Sequence, residues 1–348
     1  MAAPAQPPQR TVVHGDAFEW LATQPTLGER TCVVTSAPDR SEIREAFGSR
    51  TPTAEEYGAW LTETTRLIVS KVRVPREGYI PATPSLRPSR PACAHARRAV
   101  DADTGRAREQ LDAGCAAVFY QSDVRYDAGV DDPSAAAAGT HGAEDAGAWE
   151  YIDKSFLCTS GALKAGGSVM WHKLALRTRP DNLVLGVNPG YTHVMCYGSP
   201  RGTRLPPPCS PEVSNAPDVM SRGDTDWARG AGAEATERIV RYLRDGLGAR
   251  RIVDPFCGTG AVLAVAGAMG LESVGVECCK KRARVARGLA AEGSGKDMQL
   301  VRPGPPEDIA EEVEARRRRY IDHRKANVAQ QKERARLEKQ RQRAQQRQ

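Results

Sequence analysis

Two rhythms of apolar and polar positions alternate along this chain. Short apolar, β-branched runs ending in polar turns occur at 11–13, Thr31–Thr35, Ala116–Gln121, 168–173, 191–197, Arg251–Asp254 and 273–276. Runs of this length predict seven strands, several of them apolar enough to be covered on both faces. Between them the period lengthens to that of a helix. Residues 55–71 place Tyr57, Trp60, Leu61, Thr64, Leu67 and Ile68 on one face. Further helices are expected from Phe18 onward, over 151–165 (closed by Gly166-Gly167), 233–247, 261–269 (stopped by Gly270) and 280–291. Strands alternating with helices predict an α/β fold: a three-layer α/β/α sandwich around a mostly parallel, seven-stranded sheet.

One stretch carries the strongest chemistry. Ile252-Val253 ends on Asp254 and runs into Pro255-Phe256-Cys257-Gly258-Thr259-Gly260, then an apolar helix, then a strand ending on Glu277. Strand, glycine turn, helix, strand and acid make one βαβ unit. Gly258 and Gly260 allow a sharp turn and close approach of a ligand to the backbone. The helix start offers free N–H groups, and Glu277 is placed for a ribose diol. The spacing differs from the G-x-G-x-x-G of dinucleotide enzymes, and no Lys-Ser/Thr follows as in a phosphate-binding loop.

Asp-Pro-Phe-x-Gly-x-Gly resembles the cofactor motif of S-adenosylmethionine (SAM) dependent methyltransferases, most closely those acting on exocyclic amines of nucleic-acid bases. The resemblance implies a class I, Rossmann-like methyltransferase fold with SAM as cofactor. It assigns Asp254, Pro255, Phe256, Gly258, Thr259, Gly260 and Glu277 to the cofactor. At the N-terminus, His14-Gly15-Asp16-Ala17 follows a strand and resembles the place where an acid contacts the cofactor's adenine amine. Asp16 is equally suited to cap the helix that follows. In the same family the segment matching Thr225-Asp226-Trp227, before the helix at 233–247, contacts the methionine end of SAM; Thr225 or Asp226 is equally suited to cap that helix. In the same family a Ser/Asp/Asn-Pro-Pro-aromatic turn holds the target amine, and its aromatic residue stacks on the flipped base. Here the turn reads Ser36-Ala37-Pro38-Asp39. Ser36 and Pro38 match, Ala37 replaces the first proline and Asp39 replaces the aromatic, exchanging a stacking platform for a carboxylate able to act as base or acceptor. Ser36, Pro38 and Asp39 are the catalytic candidates. Tyr191 and His193 match the family's later motifs more weakly, and Trp171 reads as a core residue.

The order of the two turns matters. The catalytic candidate precedes the cofactor turn by more than two hundred residues, the circularly permuted order of many N6-adenine and N4-cytosine DNA methyltransferases. RNA guanine methyltransferases with a similar Asp-Pro-Phe-Cys-Gly-Thr-Gly turn have the opposite order. If the order is permuted, strand Thr31–Thr35 lies beside strand Arg251–Asp254 and both turns face one cleft. The implied chemistry is direct in-line transfer to a nitrogen, helped by proximity and hydrogen bonds. No Pro-Cys turn offers a thiol for attack on a cytosine ring, and Cys257 reads as structural. A carboxylate at position 39 suits an acceptor that presents an N–H and leans towards single-stranded or structured RNA. Two other readings stay open: a methyltransferase on a different substrate, and a non-catalytic SAM-fold protein that binds nucleic acid.

Composition changes the picture at the ends. The net charge is +7, but residues 316–348 hold thirteen Lys/Arg against three Asp/Glu, a net of +10, which leaves the rest at −3. The basic character is therefore a tail property, and the tail is the expected phosphate-binding element beside the cleft. From about residue 307 the tail has too few apolar residues to bury a face and reads as a solvated helix or disordered. Residues 1–10 read as a flexible start, 11–295 as the methyltransferase domain and 296–348 as the tail. Segments 73–112 and 127–147 read as flexible insertions, and the six prolines within 200–222 as a surface linker. The nine cysteines form no C-x-x-C pair, which points to a reducing compartment and away from a structural zinc. No metal is expected. No apolar run reaches eighteen residues and the first ten lack a signal-like core, so an intracellular protein without membrane contact is expected, in cytoplasm or nucleus.

Overall fold

The computed structural model describes residues 8–72, 99–100, 107–108, 115–127, 149–179, 189–198, 217–227 and 230–303. Most of the expected insertions, at 73–112 and 127–147, and nearly all of the basic tail lie outside the described residues. All the elements below belong to one compact unit, Met1–Arg302.

The strands of the main sheet are β1 (Arg10–His14), β2 (Thr31–Thr35), β3 (Ala116–Gln121), β6 (Ser168–Leu176), β7 (Tyr191–Gly198), β8 (Val219–Ser221), β9 (Arg251–Asp254) and β10 (Glu272–Glu277). Their order across the sheet is β1-β10-β9-β2-β3-β7-β6-β8. Every neighbouring pair is parallel except those made by β7, which runs against both β3 and β6. All seven expected strands are present. The eighth, β8, falls in the stretch expected to be a proline-rich linker, where it adds to the β6 edge. The expected pairing of β2 with β9 is found, with Cys32 opposite Ile252 and Val33 opposite Val253.

The helices are α1 (Ala17–Thr23), α2 (Ala54–Lys71), α3 (Lys154–Lys164), α4 (Ala233–Arg241, continued by a π turn over Tyr242–Gly246), α5 (Ala261–Ala268) and α6 (Lys280–Gly288). Strand periodicity sorts the core into two layers. Cys32, Val34, Val118, Cys196 and Ile252 pack on one face with Ile239, Val240 and Leu243 of α4 and with Val262 and Val265 of α5. Their alternates Val33, Ala117, Phe119, Tyr197 and Val253 pack on the other face with Tyr57, Leu61 and Ile68 of α2 and with Cys158 and Ala162 of α3. All five residues of β2 and all six of β3 are buried, as strands covered on both faces must be. Trp171 lies against this core, edge-on to Tyr242 at 5.6 Å, as expected.

Two stretches differ from expectation. Residues 151–165 are not one helix. Trp149–Ile152 is β5, paired antiparallel with β4 (Val124–Asp127), and α3 starts only after Asp153, whose carboxylate caps Phe156 N at 2.9 Å. Helix α6 stops at Gly288, and an antiparallel hairpin of β11 (Ala290–Glu292) and β12 (Gln299–Val301) follows. Leu289, Ala291 and Leu300 bury its inner face against Ala261 and Ala264 of α5.

Candidate active site

At the carboxyl ends of β1, β2, β9 and β10 lies a cleft of about 290 Å³. One wall is the turn after β9. Asp254 ends the strand fully inside, 3% exposed. It accepts a 2.6 Å bond from the Thr35 hydroxyl and a 3.1 Å bond from Phe256 N–H. Burial, with the Glu277 charge adding to it and these two bonds opposing it, pushes its carboxyl up to about 7. Gly258 turns with φ +55°, and a Cβ built there would point into open space rather than into protein. Gly260 turns with φ +88°, and a Cβ there would lie 2.8 Å from Ala286 of α6. Both glycines need the left-handed conformation, but only Gly258 lines the cleft; Gly260 serves close helix packing. Cys257 points inward, towards Leu263 and Ala286.

Glu277 ends β10 at 6% exposure. Cys279 N–H at 2.7 Å and Arg282 Nε at 3.0 Å both donate to its Oε1, so neither bond uses the second oxygen. Across from it, Asp16 caps α1, its Oδ1 accepting from Phe18 N at 2.7 Å and Glu19 N at 3.0 Å. Of the two roles weighed for this carboxylate, the helix cap is present, and Asp16 also lines the cleft with Ala17 and Phe18. The floor between them is aromatic. Phe18 and Phe256 meet edge-on at 6.1 Å, and Trp60 sits 5.9 Å from Phe18.

Ser36, Ala37, Pro38 and Asp39, which follow β2, line the same cleft. The Tyr57 hydroxyl donates to the Pro38 carbonyl at 3.1 Å. Asp39 is ion-paired with Lys154 Nζ, which is 1% exposed and lies 5.5 Å above the Tyr57 ring. Burial disfavours this ammonium, but Tyr57 and Asp39 outweigh it and hold it above the ordinary lysine range. The backbone N–H of Lys154 is held in turn by the buried Asp123, at 2.9 Å. Asp123 also takes the Tyr151 hydroxyl and His193 Nε2, the latter at 2.7 Å.

The structure thus gathers Asp16, Ala17, Ser36, Pro38, Asp39, Asp254, Pro255, Phe256, Gly258, Thr259 and Glu277 around one cavity. Thr225 does not line it; Trp227, two residues on and 55% exposed, does. His193 bonds Asp123, which holds the backbone of Lys154, the partner of Asp39, and Tyr191 packs edge-on to His193 at 5.2 Å. Sequence reading missed Tyr57, Lys154, Arg282 and Glu42. Tyr57 had a core periodicity and Lys154 stood in an apparent helix interior, so neither signalled a polar role.

No family model matches the chain, and no curated protein matches it. Among solved structures, a proposed DNA modification methylase from Thermus thermophilus, complexed with S-adenosyl-L-methionine, resembles it. That match has 18% identity and a TM-score of 0.47 over 80% of this chain and 91% of that one. The cytosine-N4-specific PvuII DNA methyltransferase also resembles it, at 12% identity and a TM-score of 0.47 over 81% of this chain and 88% of that one.

Proposed function

We propose that this chain is a SAM-dependent methyltransferase that acts on an amine nitrogen of a nucleic-acid base. One observation carries the reading: the glycine turn with Glu277 and the Ser36–Asp39 turn, distant in sequence, line one cleft. SAM supplies an electrophilic methyl group on a sulfonium. The residues present suit that cofactor. The second oxygen of Glu277, which the bonds from Cys279 and Arg282 do not use, would accept from a ribose diol, and Gly258 leaves room at the turn where any side chain would project into open space. Phe18 and Phe256 offer apolar surface, and Asp16 offers a carboxylate for an adenine amine.

In the other turn, Ser36 Oγ and the Ala37 carbonyl are the groups to accept an acceptor amine's hydrogens and orient its lone pair. Pro38 keeps its carbonyl turned to Tyr57. Asp39 adds negative charge where an aromatic platform would stack, and Lys154 balances that charge. This favours an acceptor offering an N–H over one held by stacking alone, and supports a second reading: an amine substrate outside nucleic acid. The +10 tail at 316–348 suits sequence-independent phosphate binding.

Calorimetry with SAM, then transfer of labelled methyl from SAM to pooled DNA and RNA, tests the reading. Binding is expected, with label in nucleosides that falls at least tenfold in Ser36→Ala. Absence of SAM binding refutes it; binding with label only in small amines selects the second reading.

A further inference from the structure

Residues Arg40–Glu42 and Arg44–Phe47 are two short 3₁₀ turns, and neither contains a buried residue. Together they form the wall of the cleft that follows the Ser36–Asp39 turn, with Glu42, Ile43, Glu45 and Ala46 facing the cavity. A 3₁₀ turn has weak internal hydrogen bonds, so this wall depends on what ties it down. Ile43 is buried between the turns and Phe47 packs against the core, and the ties that face the cleft are polar. Glu42 Oε2 accepts from the Asp39 N–H at 3.0 Å, and so holds the end of the acceptor turn. Glu42 Oε1 faces Arg282 Nη1 at 3.6 Å, and Arg282 Nε donates to Glu277 Oε1 at 3.0 Å. One guanidinium therefore reaches two carboxylates from different nitrogens of its rigid planar fork, a span that a compact ammonium does not hold in fixed geometry.

We propose that Arg282 is a positioning residue that ties Glu277 to the acceptor wall through Glu42, so that a nucleoside-bearing cofactor held at Glu277 fixes residues 39–47. The inference rests on the proposed cofactor reading of the cleft and adds an order of events: the acceptor wall is set after the cofactor is in place. The linkage has a physical cause. A ligand diol on the second oxygen of Glu277 fixes that carboxylate. A fixed carboxylate fixes the guanidinium on its first oxygen, and the guanidinium then holds Glu42. Binding at Glu277 thereby changes the stability of residues 39–47 through Arg282 and Glu42. Arg282 itself is 40% exposed and Glu42 32%, so the tie is weak in the empty cleft, where solvent screens it, and gains when a ligand covers it.

Amide hydrogen exchange with S-adenosylhomocysteine as the probe tests this without knowledge of the acceptor. At saturating probe, exchange in wild type should slow about tenfold or more, both at 257–263 and at 39–47. In Glu42→Gln the slowing at 257–263 should persist, while that at 39–47 falls below about threefold. Arg282→Lys, which keeps the charge but loses the fork, should show the same split. Equal slowing of 39–47 in wild type and Glu42→Gln overturns the proposal, as does slowing confined to 257–263 in wild type. No slowing anywhere overturns the cofactor reading beneath it as well, which separates the two failures.

Discussion

Replacing Asp254 by Asn should make the ligand-free protein more stable above neutral pH, although Asp254 sits at the head of the glycine turn that lines the cleft. The carboxyl is buried, and its value rises from 3.8 to about 7 in the fold. The unfolded chain then releases this proton near 3.8 while the native chain keeps it until about 7. Over that window the native state binds more protons, so stability falls as pH rises and levels off above 7. At ~1.4 kcal/mol per unit the whole shift corresponds to an upper limit of ~4 kcal/mol. Asn keeps an oxygen for the Thr35 hydroxyl and the Phe256 N–H, and never ionises. Its amide nitrogen needs a partner, at a cost of about 1 kcal/mol that does not depend on pH. The difference between variant and wild type should therefore shift in favour of Asn by roughly 2–3 kcal/mol between pH 5 and pH 8. Glu56, Glu63 and Asp123, whose carboxyls are held low, act in both proteins and cancel in this difference. Urea denaturation at several pH values measures it. A difference that stays constant from pH 5 to pH 8 would refute the burial argument.

Other outcomes follow from the same geometry. Glu277→Ala should weaken SAM binding by about 1.5–3 kcal/mol by calorimetry, and an unchanged affinity removes Glu277 from the cofactor. Asp39→Asn leaves the Lys154 ammonium buried without its counter-charge and should cost about 1–3 kcal/mol in chemical denaturation. Lys154→Met added to it should restore part of that loss, and simple additivity would deny the pairing. Gly260→Ala combines left-handed strain with a clash at Ala286 and should cost more than about 2 kcal/mol, whereas Gly258→Ala should cost about 1 kcal/mol and instead weaken SAM binding. Truncation after Ala315 should flatten the dependence of nucleic-acid affinity on salt; an unchanged slope means the tail charges do not meet phosphate.

The sheet was legible because its strands are continuous apolar runs ended by polar turns, and that pattern survives without any partner being known. Val219–Ser221 was not, since three residues beside a proline-rich stretch carry no period. The stretch 151–165 misled because an apolar run with mixed spacing fits strand and helix alike; only Asp153, read as a cap, marks the change. In the site, the glycine turn and Glu277 were legible as a local motif. The pairing of β2 with β9 followed from the order of the two turns. The ties that hold the Ser36–Asp39 turn were not. Lys154, Tyr57, Glu42 and Arg282 reach the cleft from different elements, and nothing in the residues next to them says that they meet. For Asp39 the substitution was visible, but its ion pair with Lys154 was not, because burial of a lysine leaves no trace in sequence.

The arrangement of the sheet bears on how the chain acquires it. Strands β1 and β2 are made first, yet β10 and β9 lie between them. A chain emerging from synthesis thus holds two early strands separated by a gap two strands wide, and the residues that fill it come after residue 250. Until then β1 has no neighbour in the sheet and β2 has only β3, which leaves unpaired edges rich in valine and threonine. Contacts so far apart in sequence close slowly. Folding should be late, concerted and exposed to edge-to-edge association, and newly made chains should be more prone to aggregate, and more dependent on chaperones, than the finished fold.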